Sequence, residues 1–588
     1  MHVLDIETEG LDGNYIHCIV LRDCFTDNVE TYGPSQIEDG LRSIMSKDRL
    51  VGHNLINFDL PFIARLYPWF NYPEDKVVDT LVCSRLIWTD LSETDPSRKV
   101  EIPSKLKGSH SLAAWGHRLK CHKGDYQGGW DNFSDDMLEY CVQDTAVTAL
   151  LWKTIQSQNY SKQAIELEHQ VQWLIARQER HGFMFDETKA LVLCQKLSRR
   201  RVEIEEELQT VFTPWWSFCE EVTPKRTINY KNTYTASKTK GCVYSKVKLN
   251  VFNPGSRHHV ADRLKNLGWR PQQTTPDGHP KVDETTLKTV SFPQAILMRE
   301  YFIIQKRLGM LSEGKHSWLG HLKASRIHGS VICNGTVTGR ASMRSPNLQQ
   351  VPAVTAPFGG ECRELFRVPP GKLLVGVDMS GLELRMLGHF TAPLDNGAYS
   401  KVVIDGDIHT HNQNAAGLDS RDIAKRFIYA FIFGAGINKL AEVTSLSKRE
   451  VTRVKDRFLT ENHGLRKLID LVKDTAENRG YLLGLDKRKL SVRSPHRALN
   501  VLLQSSGALC SKQWLIEFDK HIEERGLRDR VQQVAWVHDE IQIETDEELA
   551  EQIGHLATVS IEEAGKRFNL RVPLKGEYRV GKTWASTH

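Results

Sequence analysis

Two apolar runs, each delivering acids to its end, flank a stretch of regularly spaced cations and rings, and few folds accommodate that arrangement. The first run reads Leu373-Leu374-Val375-Gly376-Val377-Asp378-Met379-Ser380-Gly381-Leu382-Glu383. The second reads Val534-Ala535-Trp536-Val537-His538-Asp539-Glu540-Ile541-Gln542-Ile543-Glu544. Both have the character of buried strands, and an acid at a strand end offers the oxygen ligands that a hard divalent cation takes. Between them Arg421, Lys425, Tyr429 and Phe433 recur every fourth residue, which on a helix places them on one slowly drifting face. Two cations on that face suit a polyphosphate, and two rings suit a base. These residues point to nucleotidyl transfer.

A second set of acids lies at the start of the chain. Asp5-Ile6-Glu7 ends a short strand, and period-two alternation turns both acids to one face. Asp59 follows in Asn54-Leu55-Ile56-Asn57-Phe58-Asp59, and Asp144 follows in Glu139-Tyr140-Cys141-Val142-Gln143-Asp144, with Tyr140 one helical turn before it. A lone Asp-x-Glu reads as a solvated strand end. Three such pieces, in order within one domain-sized stretch, resemble the Asp-Glu-Asp-Asp pattern of 3′–5′ proofreading exonucleases. That resemblance implies Asp5, Glu7, Asp59 and Asp144 as ligands of two divalent ions and Tyr140 as the group orienting the attacking water. A repair or RNA-trimming nuclease fits this stretch alone equally well.

A chain of 588 residues is long for one core and is expected to hold several domains. Its 78 Lys and Arg against 73 Asp and Glu leave a net charge of +5, too mild to decide for or against nucleic acid. The eleven Cys are scattered with no Cys-x-x-Cys pair, which argues for reduced thiols in a cytoplasm and against a structural zinc. Met1-His2-Val3-Leu4-Asp5 lacks the basic start of a secretory signal. No stretch approaches eighteen uncharged apolar residues, so no membrane span is expected.

Thr338-Gly339-Arg340, Pro346-Asn347-Leu348-Gln349, Asp407-Ile408-His409-Thr410, Arg493-Ser494-Pro495-His496 and Leu503-Gln504-Ser505-Ser506-Gly507-Ala508 complete the set around Asp378, Arg421 and Asp539. In this order they resemble the motifs of family A DNA polymerases, and most closely the replicative polymerases of short-tailed bacteriophages. The resemblance covers nearly the whole chain and weakens between about Thr213 and Asn250. It implies that Asp378 and Asp539 bridge two Mg²⁺ ions, Mn²⁺ being a possible substitute, with the Met379 carbonyl as an extra ligand. Glu540 is then a supporting acid. Arg421, Lys425 and His409 grip the triphosphate, and Lys425 neutralises or protonates the departing group.

Further roles follow from the same resemblance. Glu383 closes the pocket around the sugar 2′ position, and Tyr429 governs tolerance of a missing 3′-hydroxyl. Phe433 departs from the common Tyr, keeping the stacking face and losing a hydroxyl. Arg340 and Gln504 are donors to minor-groove acceptors that every correct pair presents alike. His538 contacts the primer-terminal phosphate.

The implied architecture is multidomain α/β and α+β: an RNase H-like 3′–5′ exonuclease domain, then a right-hand polymerase domain of thumb, palm and fingers. Boundaries are placed at 1–165 for the exonuclease, 166–326 for the thumb, 327–410 and 481–588 for the palm, and 411–480 for the fingers. Apolar spacing predicts a helix from Gln163 to Arg180 ended by Gly182, and a charged helix from Glu187 to Val211. Thr213–Asn250 interleaves Lys225, Arg226, Lys231, Lys238, Lys240, Lys246 and Lys248 with Trp215, Trp216, Phe218, Tyr230, Tyr234 and Tyr244. This loop-like composition suits phosphate contacts or protein partners at a thumb tip. It is shorter than the insertion by which related phage polymerases recruit host thioredoxin, so a mobile loop touching DNA is the expectation.

The expected partners are primer-template DNA, dNTPs, a phage helicase-primase and a single-strand-binding protein, with the chain a monomer in the host cytoplasm. Rival readings are a bacterial-type repair polymerase, a 3′–5′ exonuclease with a DNA-binding C-terminal module, a single-subunit RNA polymerase, and a replisome scaffold. Asp378 and Asp539 together with Lys425 speak against a binding module, and Glu383 with Tyr429 against RNA synthesis.

Overall fold

Strand His2–Thr8 is the middle of a five-stranded sheet in the order Val29–Tyr32, Ile16–Asp23, His2–Thr8, Leu50–Gly52, Val77–Asp79. The first three run antiparallel, and the last two parallel to His2–Thr8 and to each other. Leu4, Ile6, Ile19, Leu21, Leu41, Leu55 and Ile63 are buried together in its core. The helix Asp135–Ser157 packs on the two central antiparallel strands. Ser134 caps it by accepting from the Met137 amide, with Asp135 and Asp136 in its positively polarised first turn.

The computed structural model describes residues 1–98, 100–229 and 237–588. They fall into two compact units, the first made of Met1–Met184, Arg326–Val351 and Phe366–His588, the second of Phe185–Ser325 and Pro352–Leu365. The predicted helix over 163–180 spans Lys162–His181 and ends at Gly182, whose φ of 69° and whose closeness to His328 leave no room for a Cβ. It belongs to the first unit, although 166–184 was expected in the thumb, and 352–365, expected in the palm, belongs to the second unit.

A second, four-stranded sheet of the first unit is antiparallel, in the order Val531–Val537, Glu540–Asp546, Lys372–Met379, Gly576–Gly581. The helix Ala550–Arg567 packs on the strands Lys372–Met379 and Gly576–Gly581, and the long helix Ala498–Glu524 packs on that helix. Residues 411–480 are dominated by helices, among them Arg421–Ile432, Lys448–Glu461 and His463–Arg479. A wholly buried charge cluster ties the two sheets' helices together. Glu168 pairs with Arg488 at 2.7 Å and with Lys512 at 2.5 Å, and Arg488 also pairs with Asp486 at 2.6 Å.

In the second unit the helix Glu187–Val211 has the predicted bounds and packs against Pro293–Leu308, with Arg200 on Glu300 at 2.8 Å. The loop expected over 213–250 is in part a β-ribbon: Trp215–Val222 pairs antiparallel with Tyr244–Asn250. Alternation explains it, because Trp216 lies opposite Leu249 and Phe218 opposite Val247, a period-two pattern that the interleaved charges obscure. Tyr230, Lys231 and Tyr234 lie outside the described residues.

Candidate active sites

The N-terminal acids come together from three elements. Asp5 and Glu7 leave one face of the central strand, Asp59 opens the helix Asp59–Leu66, and Asp144 comes from the helix packed on that strand. Burial, followed by the charges of Asp144, Glu7 and Asp59, raises Asp5 well above the usual carboxylate range. Burial likewise pushes Glu7 to about 8 and Asp59 to about 7 and raises Asp144. Carboxylates that repel one another in a desolvated corner hold a strong demand for positive charge.

Two further groups enter this corner. The Lys123 ammonium donates to Asp144 Oδ2 and stands 4.4 Å from the Tyr140 ring centroid. The Cys141 thiol donates to Asp5 Oδ2 at 3.3 Å. Asp144 Oδ1 is buried and has no hydrogen-bond partner. Asp5, Glu7 and Cys141 bring their ligand atoms within 4.8 Å of one another, and this cluster, with the unpartnered Asp144 oxygen, is a donor set that could hold a divalent cation.

The second site is built on the four-stranded sheet. Asp378 lies near the end of Lys372–Met379. Asp539 lies in the tight turn His538-Asp539 that joins the next two strands, and its carbonyl accepts from the Met379 amide at 3.0 Å, fastening the two acid-bearing segments side by side. Burial, then the charges of Asp539 and Glu540, pushes Asp378 to about 7, and burial also raises Asp539. The turn is held in shape from behind. His538 has a φ of 61°, uncommon for a residue with a side chain, and its carbonyl accepts from Ser511 Oγ at 2.7 Å and Trp536 Nε1 at 3.0 Å. Glu540 points its carboxylate into Trp584 Nε1 at 2.6 Å and Gln542 Nε2 at 2.7 Å, and His588 pairs with it at 3.1 Å, which suits a supporting acid. Glu544 takes no part: it is buried and paired with Arg326 at 3.0 Å.

Of the other expected residues, Arg340, Glu383 and His538 are joined to the acid-bearing turn, and those of the helical segment are joined to one another. Arg340 reaches Glu383 at 3.3 Å, and a hollow lies between Arg340, Leu382, Ala508, Trp536, His538 and Asp539. Burial raises Glu383 and lowers His538. Arg421 opens the helix Arg421–Ile432 behind the Ser420 cap, with Lys425 exposed one turn on. The Tyr429 ring stacks on Phe433 with centroids 6.4 Å apart and stands 6.1 Å from His409. Burial, then the charges of Glu383 and Asp539, pushes the Tyr429 hydroxyl to about 12. Gln504 sits partly buried on the long helix, one turn after Asn500, whose amide donates to the Phe433 carbonyl.

Sequence reasoning missed Lys123, Cys141 and Asn500. Lys123 and Asn500 stand in no motif, Cys141 lies inside the Glu139–Asp144 segment without a spacing signal of its own, and each is made relevant by a partner elsewhere in the chain. Asp407 was visible only as part of a motif. In the structure it holds Arg421 through Nε at 2.9 Å and Nη2 at 3.2 Å.

Two carboxylate sets lie on two sheets, and the set on the four-stranded sheet, in one unit with a cationic and aromatic helix, has the chemistry of a nucleotidyl transferase. The family model "DNA polymerase family A" matches residues 226–586. The DNA-directed DNA polymerase of Escherichia phage T7 is 36% identical over all of both chains, and that of Enterobacteria phage T3 is 35% identical over the same extent. DNA polymerase I of Aquifex aeolicus is 24% identical, with 99% of this chain and 95% of the relative covered. The POL domain of Pol1 from M. smegmatis, solved in complex with DNA primer-template and dNTP, superposes with a TM-score of 0.76 at 18% identity, covering 100% of this chain and 95% of that one, which shows a shared fold. The chain belongs to DNA polymerase family A. It is a DNA-directed DNA polymerase, metal-dependent as that family is, acting on primer-template DNA and dNTPs. Among the described residues no helix is long and apolar enough to cross a membrane.

Proposed function

We propose that this chain replicates phage DNA by adding dNMP to a primer 3′ end at Asp378 and Asp539, and proofreads at Asp5, Glu7, Asp59 and Asp144. The observation that carries the reading is the pair of separate carboxylate sets, each with acids pushed up to about 7 or 8 by burial and mutual charge. Divalent cations, Mg²⁺ or Mn²⁺, held two to a site would activate the attacking oxygen and stabilise the leaving one. At the polymerase site Asp378, Asp539 and the Met379 carbonyl are the ligands. Arg421, Lys425 and His409 bind the triphosphate, and Lys425, exposed and close to the leaving side, supplies charge or a proton to pyrophosphate. Glu383 and Tyr429 border the sugar, Phe433 stacks near the templating base, and Arg340 and Gln504 test pair geometry from the minor groove. His538 contacts the primer-terminal phosphate. At the other site Tyr140 orients water toward a frayed 3′ end.

In this reading 1–184 is the exonuclease domain, the second unit contains the thumb, 411–480 is the fingers and the four-stranded sheet is the palm. The ribbon's exposed Trp216, Phe218, Val247 and Leu249 beside Lys246 and Lys248 support a role in holding product DNA or a processivity partner such as host thioredoxin. A helicase-primase and a single-strand-binding protein are the replisome partners expected of a phage polymerase working in the host cytoplasm.

Primer extension with Mg²⁺ and four dNTPs tests the whole reading with wild type, Asp378→Ala and Asp5→Ala/Glu7→Ala. Extension lost only in the first variant and primer degradation lost only in the second establish two independent sites. Degradation without extension in the wild type would overturn the assignment.

A further inference from the structure

We propose that Asp407 is a positioning residue for the incoming nucleotide, setting two of the triphosphate grips at once; this rests on Arg421 and His409 binding the triphosphate. One carboxylate gathers five donors from two helix starts. Asp407 caps the helix Ile408–Ala416, its Oδ1 accepting from the amides of His409 at 3.0 Å and Thr410 at 3.3 Å. Its Oδ2 accepts from Thr410 Oγ1 at 2.8 Å. The same two oxygens accept the Arg421 fork, Oδ2 from Nε and Oδ1 from Nη2.

The geometry assigns each donor a consequence. A two-pronged bond fixes the plane of a guanidinium and not merely its distance. It consumes the Nε–Nη2 edge and leaves both Nη1 protons, with one on Nη2, directed elsewhere. The cap fixes His409 in the first turn of its helix, where the ring stands 6.1 Å from Tyr429 and Nδ1 is buried with no hydrogen-bond partner. Asp407 thereby holds the Arg421 guanidinium and the first turn that carries His409 in one arrangement, with the His409 ring beside Tyr429.

As a stabilising ion pair the contact counts for little, because both side chains are about half exposed, 50% for Arg421 and 45% for Asp407. Its value lies in preorganisation. An Arg side chain held in its binding rotamer before the nucleotide arrives loses less freedom on binding. A competing role is possible in principle for any acid beside a phosphate-binding Arg: it could hold the cation away from the nucleotide. The two roles differ in sign, since removing a competitor tightens nucleotide binding and removing a positioner weakens it.

The test is single-nucleotide insertion by the full chain, with KM for dNTP and kcat measured separately for wild type, Asp407→Ser, Arg421→Ala and the double variant. Serine still caps the helix but cannot fork Arg421. The expected result is a dNTP KM raised roughly tenfold in Asp407→Ser with kcat nearly unchanged, primer-template affinity unchanged, and no further rise when Asp407→Ser is added to Arg421→Ala. A KM unchanged or lowered in Asp407→Ser, or additive effects in the double variant, overturns the proposal while leaving Arg421 as a grip. If Arg421→Ala itself leaves KM unchanged, the triphosphate assignment fails first.

Discussion

The Lys123 ammonium donates to the Asp144 carboxylate, so the N-terminal carboxylate corner contains a cation of its own. Asp144 and Asp5 both hold Lys123 in its charged form, raising it above the ordinary lysine value against the opposing effect of burial. In the metal-free protein this ammonium offsets part of the repulsion among the four acids, and an incoming cation competes with it for Asp144. Lys123→Met is expected to lower the Mg²⁺ concentration for half-maximal exonuclease by roughly tenfold, the equivalent of ~1.4 kcal/mol. It is also expected to lower the melting temperature of the metal-free protein. Metal titrations of primer degradation and thermal melts in a chelator check both.

Cation binding at the polymerase site should be linked to pH. A carboxyl raised to about 7, as Asp378 is, holds its proton until pH exceeds that value. A cation needs the carboxylate, so affinity is full above the raised value and is lost as pH falls through it. The half-saturating Mg²⁺ concentration for primer extension is expected to rise by about tenfold per pH unit below about pH 7, one proton being released per cation bound. A concentration that stays flat between about pH 6 and about pH 8 contradicts the linkage.

Glu168 holds two buried cations, and removing it should be costly. Glu168→Ala leaves Lys512 and Arg488 short of a counter-charge in a site with no exposed side chain, a loss of about 3–5 kcal/mol. Despite its burial, Lys512 and Arg488 hold Glu168 below its ordinary value of 4.5. A depressed acid contributes stability above its unfolded value and loses it as pH falls through the folded one. The difference in melting temperature between wild type and Glu168→Gln should therefore be full at neutral pH and shrink below about pH 4.5.

The Tyr429 hydroxyl feels the charges of Glu383 and Asp539. If that hydroxyl substitutes for a missing 3′-hydroxyl, wild type accepts dideoxynucleotides readily, and Tyr429→Phe raises their KM by at least roughly tenfold while leaving dNTP insertion intact. Competition between dTTP and ddTTP on a defined template reads this directly.

The ribbon Trp215–Val222 and Tyr244–Asn250 exposes an apolar ladder that its own unit does not cover. Deleting residues 220–245 is expected to shorten the tracts copied per binding event several-fold and to spare single-nucleotide insertion. Trap-challenged extension on a long template measures the first, and a one-dNTP assay the second.

Much of the site could be read from local pattern because its chemistry is local. Strand alternation put Asp5 and Glu7 on one face, and four-residue spacing put Arg421, Lys425 and Tyr429 on one helix, both of which the structure shows. Gly182 marked a helix end because a left-handed cap there tolerates nothing larger. The ribbon was misread because its apolar period is hidden under alternating lysines.

The sequence alone determined the two families of carboxylates, the cationic helix and the membership they imply, since strand and helix periods and motif order are written residue by residue. Tertiary structure alone decided that Lys123 meets Asp144, that Asp407 forks Arg421, that Asn500 secures Phe433, and that Glu168 pairs with cations more than three hundred residues away. Such pairs carry no period or spacing, because a long-range contact is set by how separate elements pack. Only the folded chain brings their charges within the few ångströms over which electrostatics acts strongly.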